Sequence, residues 1–207
     1  MSGIIEATNL QTANIKHTNG TTAVTIDGSG NAAFPQNATV TGNLSVSGTT
    51  TGISTMTLKT AVATTSGTEV DYTSIPSGTK RITVMFNEVS GTGSATADQL
   101  QVQLGTSSGL TTSGYVSRSD WGSGGIQVLT GFGVYGITGS SAISGIMTLV
   151  HMGSNVWVES HTARYNSSNG VWGGGRVALG GVCDRIRIRP IGSYSFDAGS
   201  VNVMYES

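Results

Sequence analysis

The stretch QLQVQL, residues 99–104, alternates strictly between polar and apolar side chains, and this pattern decides the fold class. Successive side chains of a β-strand point to opposite faces of a sheet. The pattern therefore predicts a strand with Leu and Val towards a core and the three Gln towards solvent. Ile82, Val84 and Phe86 repeat the same period. No segment of useful length has the apolar period of a helix, so we expect an all-β protein.

Apolar runs beyond residue 69 have the spacing expected of an all-β sandwich. Gly, Ser and Thr make up 87 of the 207 residues. This composition favours short strands, because Gly is entropically costly in a helix and Ser and Thr compete for its backbone groups. We predict a C-terminal antiparallel, jelly-roll-like β-sandwich head over residues 67–207. Its expected strands are Arg81–Val89, Gln99–Leu104, Ile126–Leu129, Ile143–His151, Asn155–Ala163, Arg176–Leu179, Asp184–Arg189 and Ser200–Tyr205.

Residues 37–48 contain one hexapeptide written twice, NATVTG and then NLSVSG, with Val40 and Val46 in step. One copy buries too little apolar surface to be stable alone, so such units stack on neighbours or on partner chains. We therefore predict an extended β stalk and neck over residues 37–66, after an N-terminal segment over residues 1–36. The pattern changes to longer, more hydrophobic strands near residue 60. Short β-like runs are expected at Ala13–Ile15, Ala23–Ile26, Ala38–Val40 and Leu44–Val46, with turns at Asn19-Gly20, Asp27-Gly28 and Gly42-Asn43.

The charge distribution limits the function classes. A formal net charge of −1 provides no basic field for nucleic acid. Gly28–Leu58 and Trp121–Val158 contain no Asp, Glu, Lys or Arg. Uncharged strands of this kind need covered edges, most simply from another copy of the chain. Cys183 is the single cysteine, which excludes an internal disulfide, and no signal peptide or membrane-spanning run is found. We expect a soluble product made in the cytosol.

Motifs that could indicate catalysis lack the context they need. GTSSG, residues 105–109, matches the nucleophile elbow, and GFGVYG, residues 131–136, matches a dinucleotide-binding turn. No helix is expected after either, so we interpret both as loops. His151 and His161 could meet across a hairpin, but such a pair is more often structural than metal-binding. No pair of carboxylates can be defended as a glycosidase site. We predict no catalytic residues, no cofactor and no metal.

An arginine strand is the strongest electrostatic feature of the sequence. In DRIRIR, residues 184–189, strand geometry places Arg185, Arg187 and Arg189 on one face. One interpretation is a ladder of guanidinium groups that grips anionic sugars or phosphates. The alternative is an exposed strand whose arginines pair with acidic neighbours within or between subunits.

Aromatic residues supply the other binding candidates. The candidates are Trp121, Trp172, Tyr115 and Tyr165, and several of these residues lie beside loops rich in Gly and Ser. Aromatic rings displayed above a rigid sandwich are typical of carbohydrate platforms, because the C–H face of a sugar stacks on the ring. The alternative is that a loop Trp folds back as a lid on the core. Trp157 lies inside a strand run and is expected in the core.

Several segments carry a resemblance to a known class. They are ATNLQTANIK (7–16), TTAVTID (21–27), the repeat at 37–48, IPSGTKRITVMF (75–86) and FDAGSVNVMYE (196–206). Through them the chain resembles bacteriophage fibre and related virion proteins, especially those of marine phages. The resemblance implies a homotrimer on the virion, on its tail or capsid. It further implies attachment to other virion proteins through the N-terminal segment, a β stalk, and a head that contacts the host surface.

Three functions follow as hypotheses. The first is a non-enzymatic virion fibre, such as a tail fibre, that binds host cell-surface glycan through the head, with avidity from several copies. The second is a capsid-decorating fibre or cement protein with a purely structural role. The third, a polysaccharide-cleaving tailspike, would require a groove with paired carboxylates.

Overall fold

In a computed structural model of the chain, the described residues are 14–16, 21–35, 37–47, 54–93, 99–122, 124–138, 141–165 and 167–207. They belong to two compact units, residues 1–52 and 53–207. All regular elements within the described ranges are β-strands, which confirms the all-β prediction. Those ranges contain no helix long and apolar enough to cross a membrane.

The first unit contains a small antiparallel sheet. Its strands, in the order β1-β2-β3, are β1 (Asn14–Lys16), β2 (Thr22–Ile26) and β3 (Ala32–Ala33). Asp27 organises the turn after β2, because its carboxylate accepts hydrogen bonds from the backbone N–H groups of Ser29 and Asn31, each at 2.9 Å. A bond from the Asn31 side chain is the main reason that the pKa of Asp27 lies below its usual value. The turn predicted at Asp27-Gly28 is present, whereas Asn19-Gly20 lies outside the described residues.

The repeat segment does not form strands in the single chain. Residues 37–47 have no regular structure, and Val40, Leu44 and Val46 are 53%, 66% and 50% exposed. The two β-like runs expected there are therefore absent from an isolated chain. The physical reason is that two short units offer each other too little apolar surface to offset the entropy of ordering. The stalk and its trimeric assembly stay predictions.

The second unit contains the remaining strands. In chain order they are β4 (Met56–Leu58), β5 (Val62–Ala63), β6 (Val70–Thr73), β7 (Arg81–Gly91), β8 (Gln99–Thr106), β9 (Gly109–Leu110), β10 (Val116–Trp121), β11 (Gly124–Val128), β12 (Phe132–Tyr135), β13 (Ile143–Gly153), β14 (Val156–Arg164), β15 (Gly170–Ala178), β16 (Arg185–Pro190) and β17 (Phe196–Glu206). A nine-stranded sheet has the order β11-β10-β15-β14-β13-β7-β17-β4, with β5 also paired to β17. A five-stranded sheet has the order β12-β8-β16-β6, with β9 paired to β8. All pairings are antiparallel, which gives a sandwich-like arrangement.

All eight expected head strands are present, but others were missed. Strand β10 was not predicted, because its inward-facing positions are Ser117 and Ser119 and its sequence therefore has no apolar period. β15 begins at Gly170, six residues before the expected start, because its central glycines give no pattern. β4 and β5 lie within the segment expected to be neck, yet both pair with the final strand of the large sheet.

One core lies between the two sheets. Ile82, Val84 and Phe86 face inward from the large sheet, as their spacing predicts. Ile186 and Ile188 are fully buried in the small sheet and belong to the same cluster. Burial of each such side chain contributes about 1.5–3 kcal/mol relative to exposure.

The solvent exposure predicted for Gln101 and Gln103 was wrong, since they are only 4% and 3% exposed. The chain that leaves β11 crosses over them and satisfies their amides. Gln103 Nε2 donates to the Thr130 carbonyl at 2.8 Å, and Thr130 Oγ1 donates to Gln101 Oε1 at 2.8 Å. Both faces of β8 are therefore buried, one apolar and one polar.

Hydrogen bonds from side chain to backbone join the sheets at both lateral edges. On one side, Ser117 Oγ accepts from Gly133 N at 3.0 Å and Ser119 Oγ accepts from Tyr135 N at 3.2 Å. On the other side, Tyr72 Oη donates to the Val201 carbonyl at 2.8 Å. On the first side, backbone N–H groups of the small sheet thus find acceptors on the large sheet, and on the second side a backbone carbonyl of the large sheet finds a donor on the small sheet.

Burial at the Tyr72 edge predicts a loss of stability at alkaline pH. Burial raises the pKa of Tyr72 from 10.0 to about 12, so the folded state holds the phenolic proton more tightly than the unfolded chain does. The resulting stabilisation is complete below pH 10 and is lost as the pH rises through 12. We expect the free energy of unfolding, measured with urea across this range, to fall less steeply in Tyr72→Phe than in the wild type.

Cys183 provides a second component, because burial raises the pKa of its thiol to about 11. Cys183→Ala should reduce the part of the loss that begins nearest pH 9, the ordinary value of that group. Equal alkaline slopes in wild type, Tyr72→Phe and Cys183→Ala would contradict this account.

Candidate functional site

Tyr115 is a core residue and not a surface platform, so its assignment as a binding candidate is corrected. Its ring packs edge-to-face on Phe132 at 5.0 Å between centroids. Its Oη accepts a hydrogen bond from Leu104 N at 2.8 Å, and burial raises the pKa of the phenol. A buried ring that already bonds the backbone has no face left for a ligand.

The arginine strand is present as β16, but its guanidinium groups are occupied. Arg187 forms two parallel bonds with Asp71, at 2.7 and 2.6 Å, and reaches Glu69 at 2.7 Å. The Asp71 bond is the main reason that the pKa of Arg187 is raised. Arg185 bonds Asp184 at 2.8 Å, and Arg189 donates to the Pro190 carbonyl at 3.2 Å.

These contacts favour the interpretation in which the arginines pair with neighbours. An anionic ligand at β16 would have to compete with carboxylates already held in bidentate geometry. We therefore place the candidate site elsewhere.

Trp121 and Tyr165 meet at one end of the sandwich, together with Tyr135. Trp121 stacks on Tyr135 at 5.4 Å with 9° between the ring planes. Tyr165 meets both rings edge-on, at 6.4 Å from Trp121 and 5.4 Å from Tyr135. Trp121 and Tyr165 are partly buried and packed against the core. The cluster therefore covers the core as a lid, which is the alternative to a carbohydrate-binding platform.

Trp172 differs from the other candidates because its side chain is 51% exposed. It lies within β15, not on a loop, and points to the outer face of the large sheet. Its cross-strand neighbours are Asp120 on β10 and Thr162 on β14. An exposed indole with polar neighbours is a surface on which a sugar ring can stack.

A groove of about 570 Å³ lies on the same outer face. It is formed by strands β10, β11 and β15 and includes Val116, Arg118, Gln127, Gly174 and Arg176. Arg118 is paired across the sheet with Gln127 on one side and Gly174 on the other. The space exists because Gly174 adds no side chain beside Arg118. We call these residues, with Trp172 and Asp120, the outer-face groove.

The polar groups of the outer-face groove are partly ordered in advance. Arg118 donates to both carboxylate oxygens of Asp120, with Nε at 3.0 and 2.9 Å and Nη2 at 2.6 Å. This pairing raises the pKa of Arg118 and holds both planar groups at the edge of the groove. Among the residues that the structure describes, the side chain of Arg176 makes no hydrogen bond or ion pair.

A buried serine, histidine and glutamate form an arrangement that the sequence analysis missed. His161 Nε2 lies 2.9 Å from Ser119 Oγ, and His161 Nδ1 lies 2.5 Å from Glu159 Oε1. Ser119 and His161 are on strands separated by β15, and their register places Gly173 directly between them. A Cβ at Gly173 would lie 2.3 Å from His161 Cε1, so only glycine permits the contact. The run of three glycines was the only signal of this contact in the sequence.

The three residues have the order of nucleophile, base and carboxylate found in a catalytic triad, but their position in the core is unsuitable for catalysis. The side chains of Glu159 and His161 are completely buried, and Ser119 is also fully buried. Burial leaves no approach for an incoming carbonyl, and the Ser119 oxygen already accepts a hydrogen bond from the Tyr135 N–H. We interpret the trio as a polar element of the core that ties β10 to β14.

The hairpin across which His151 and His161 could meet is present, but the two histidines do not meet. Ser154 and Asn155 have φ of 49° and 58°, as in a tight hairpin turn between β13 and β14. His151 pairs with Trp157 and stacks on it at 5.1 Å, whereas His161 pairs with Met147. Trp157 is buried, as predicted. The GTSSG motif forms the β8–β9 turn, and the GFGVYG motif contains strand β12.

No protein-family model matches this chain, and neither the curated proteins nor the solved structures include a significant match. By its fold, the molecule is an all-β, sandwich-like protein with a groove on its outer face.

Replacement of Gly173 tests the close approach of Ser119 to His161. Gly173→Ala should lower the free energy of unfolding by about 1–3 kcal/mol, because the new methyl group overlaps both the imidazole of His161 and the backbone carbonyl of Arg118. Urea unfolding followed by tryptophan fluorescence measures the change. Gly180→Ala is the matched control, since a Cβ there meets nothing within 4 Å, and its effect should stay within about 0.5 kcal/mol. Equal effects at the two positions would show that the contact does not constrain the core.

Proposed function

We propose that the protein is a non-enzymatic virion fibre that attaches through its N-terminal segment and binds a host cell-surface glycan through the outer-face groove. The observation that carries the proposal is the exposed Trp172 beside a groove lined by planar polar side chains. The resemblance of several sequence segments to phage fibre proteins supplies the biological setting.

The chemistry of the groove suits a neutral or charged sugar. The indole of Trp172 can take the C–H face of one sugar ring, since it is exposed and fixed in a strand of a large sheet. Asp120, Arg118 and Gln127 offer carboxylate, guanidinium and amide groups, which can bond pairs of adjacent hydroxyl groups. Because Asp120 and Arg118 already hold each other in place, less side-chain entropy is lost on binding.

Assembly as a homotrimer is the second part of the proposal. The uncharged segment Gly28–Leu58 includes Val40, Leu44 and Val46, which are exposed in the single chain. Met56 on the edge strand β4 is exposed as well. Contacts between copies would cover these side chains, and several heads on one fibre would raise the overall avidity for a surface.

Trp172→Ala should weaken glycan binding by about tenfold or more, because truncation of a central aromatic anchor typically costs about 2 kcal/mol. Binding of the full-length chain to an array of neutral and acidic oligosaccharides identifies ligands, and titration calorimetry measures the affinity. The free energy of unfolding should fall by no more than about 1 kcal/mol, since about half of the residue is exposed.

Met152→Ala provides the control for Trp172→Ala, because Met152 is an even more exposed apolar residue at the distal hairpin of the same sheet. Its affinity should match that of the wild type. Loss of binding in both variants, or in neither, would remove Trp172 as the anchor of the site.

Light scattering of the full-length protein should give three times the 21.1 kDa chain mass. A variant with Val40→Asp and Val46→Asp should dissociate, because it would place charges where the proposed stalk packs. The control variant, Thr39→Asp with Ser45→Asp, adds the same charge at neighbouring positions and should remain trimeric. A monomeric wild-type chain would contradict the trimer and leave glycan binding as a separate question.

A further inference from the structure

We infer that the ligand of the outer-face groove is an acidic oligosaccharide whose carboxylate is bound by Arg176. This inference rests on the proposed function, because it specifies the ligand class of the same groove.

Arg176 differs from the other arginines of the chain in its charge pairing. The other arginines all bond a carboxylate or a backbone carbonyl. These are Arg81 with Glu206, Arg118 with Asp120, Arg164 with Glu88, Arg185 with Asp184, Arg187 with Asp71, and Arg189 with Pro190. Arg176 has no such partner among the described residues, although acidic and basic residues are nearly equal in number. Its guanidinium is therefore the uncompensated charge of the groove.

The immediate neighbours of Arg176 provide no acid either. On the outer face, Val116 is opposite Arg176 on β10 and Val158 is opposite it on β14. Gly174 and Ala178 are the same-face positions along β15 itself. A guanidinium beside apolar side chains is less well screened than one among polar groups, which strengthens its attraction for an anion.

The nearby Asp120 does not neutralise this charge. Asp120 is opposite Trp172, four residues along β15 from Arg176, and both of its oxygens are engaged by Arg118. Arg118 and Asp120 together contribute no net charge, so the groove has a surplus of one positive charge from Arg176. A guanidinium fork matches the two oxygens of a carboxylate better than it matches a single hydroxyl group.

The spacing along β15 indicates an oligosaccharide. Trp172 and Arg176 point to the same face and are separated by roughly 13 Å of strand, from about 3.3 Å per residue. This separation exceeds one sugar ring. This spacing favours a ligand in which the stacked ring and the bound carboxylate belong to different units of a chain.

The test uses the full-length protein, an array of neutral and acidic oligosaccharides, and matched pairs of each acidic ligand and its methyl ester. We expect the wild type to prefer the acid over its ester by about tenfold, with a preference that declines as salt is added. Arg176→Gln should abolish this preference, so that the acid and its methyl ester bind the variant with equal affinity. Arg164→Gln, which removes the same charge from the edge of β14, should keep the preference.

The outcomes separate the inference from the proposed function. Binding of neutral glycans without preference for acids would overturn the inference and leave the proposed function in place. A preference for acids that survives in Arg176→Gln would overturn the role of Arg176. Failure of the folded wild type to bind any glycan on the array would overturn the proposed function and the inference with it.

Discussion

The architecture of the second unit depends on the hydrogen bonds that satisfy the edge of strand β12. Gly133 and Tyr135 direct their N–H groups away from β8 and towards the large sheet, where Ser117 and Ser119 accept them. Buried backbone donors without acceptors would cost about 1–3 kcal/mol each. Two serines that look unremarkable in sequence therefore position β10 against β12. This position determines which face of β10 is buried and which face forms the groove.

The three consecutive glycines of β15 link the interior to the surface. Gly173 faces inward and permits the contact of Ser119 with His161, while Gly174 faces outward and leaves the floor of the groove open. Gly175 faces inward again, and a Cβ there would lie 3.1 Å from Phe132. The alternation of a strand thus gives one short run two roles. A polar core contact and a surface depression lie back to back on the same three residues.

Sequence reasoning predicted the strands in which apolar and polar residues alternate along the chain. Strand β7 contains Ile82, Val84 and Phe86, and strand β16 contains Ile186 and Ile188. Both were predicted because an apolar period of two with β-branched residues favours a β-strand. Sequence reasoning failed where burial is polar. Gln101 and Gln103 were expected outside, since only the course of the later chain reveals that Thr130 covers them.

The candidate site was predicted only in part for the same reason. Trp172 was identified by its residue type, but Arg176, Arg118 and Gln127 were not, because their proximity depends on the pairing of three strands. Tyr115 and Trp121 have neighbours in the sequence similar to those of Trp172, and only packing distinguishes a core ring, a lid and an exposed ring.

The pairing of the first and last strands of the second unit has a mechanical consequence. Thr55 and Ser207 exchange two backbone hydrogen bonds of 3.1 Å, and β4 continues this pairing along β17. Tension between residue 54 and β15 would be carried sideways through β17, β7, β13 and β14. Tension is thereby shared over long antiparallel ladders and does not pass along a single strand. The shortest ladder in this path is that of β4 with β17, so we expect it to separate first under load, before the outer face of the large sheet deforms.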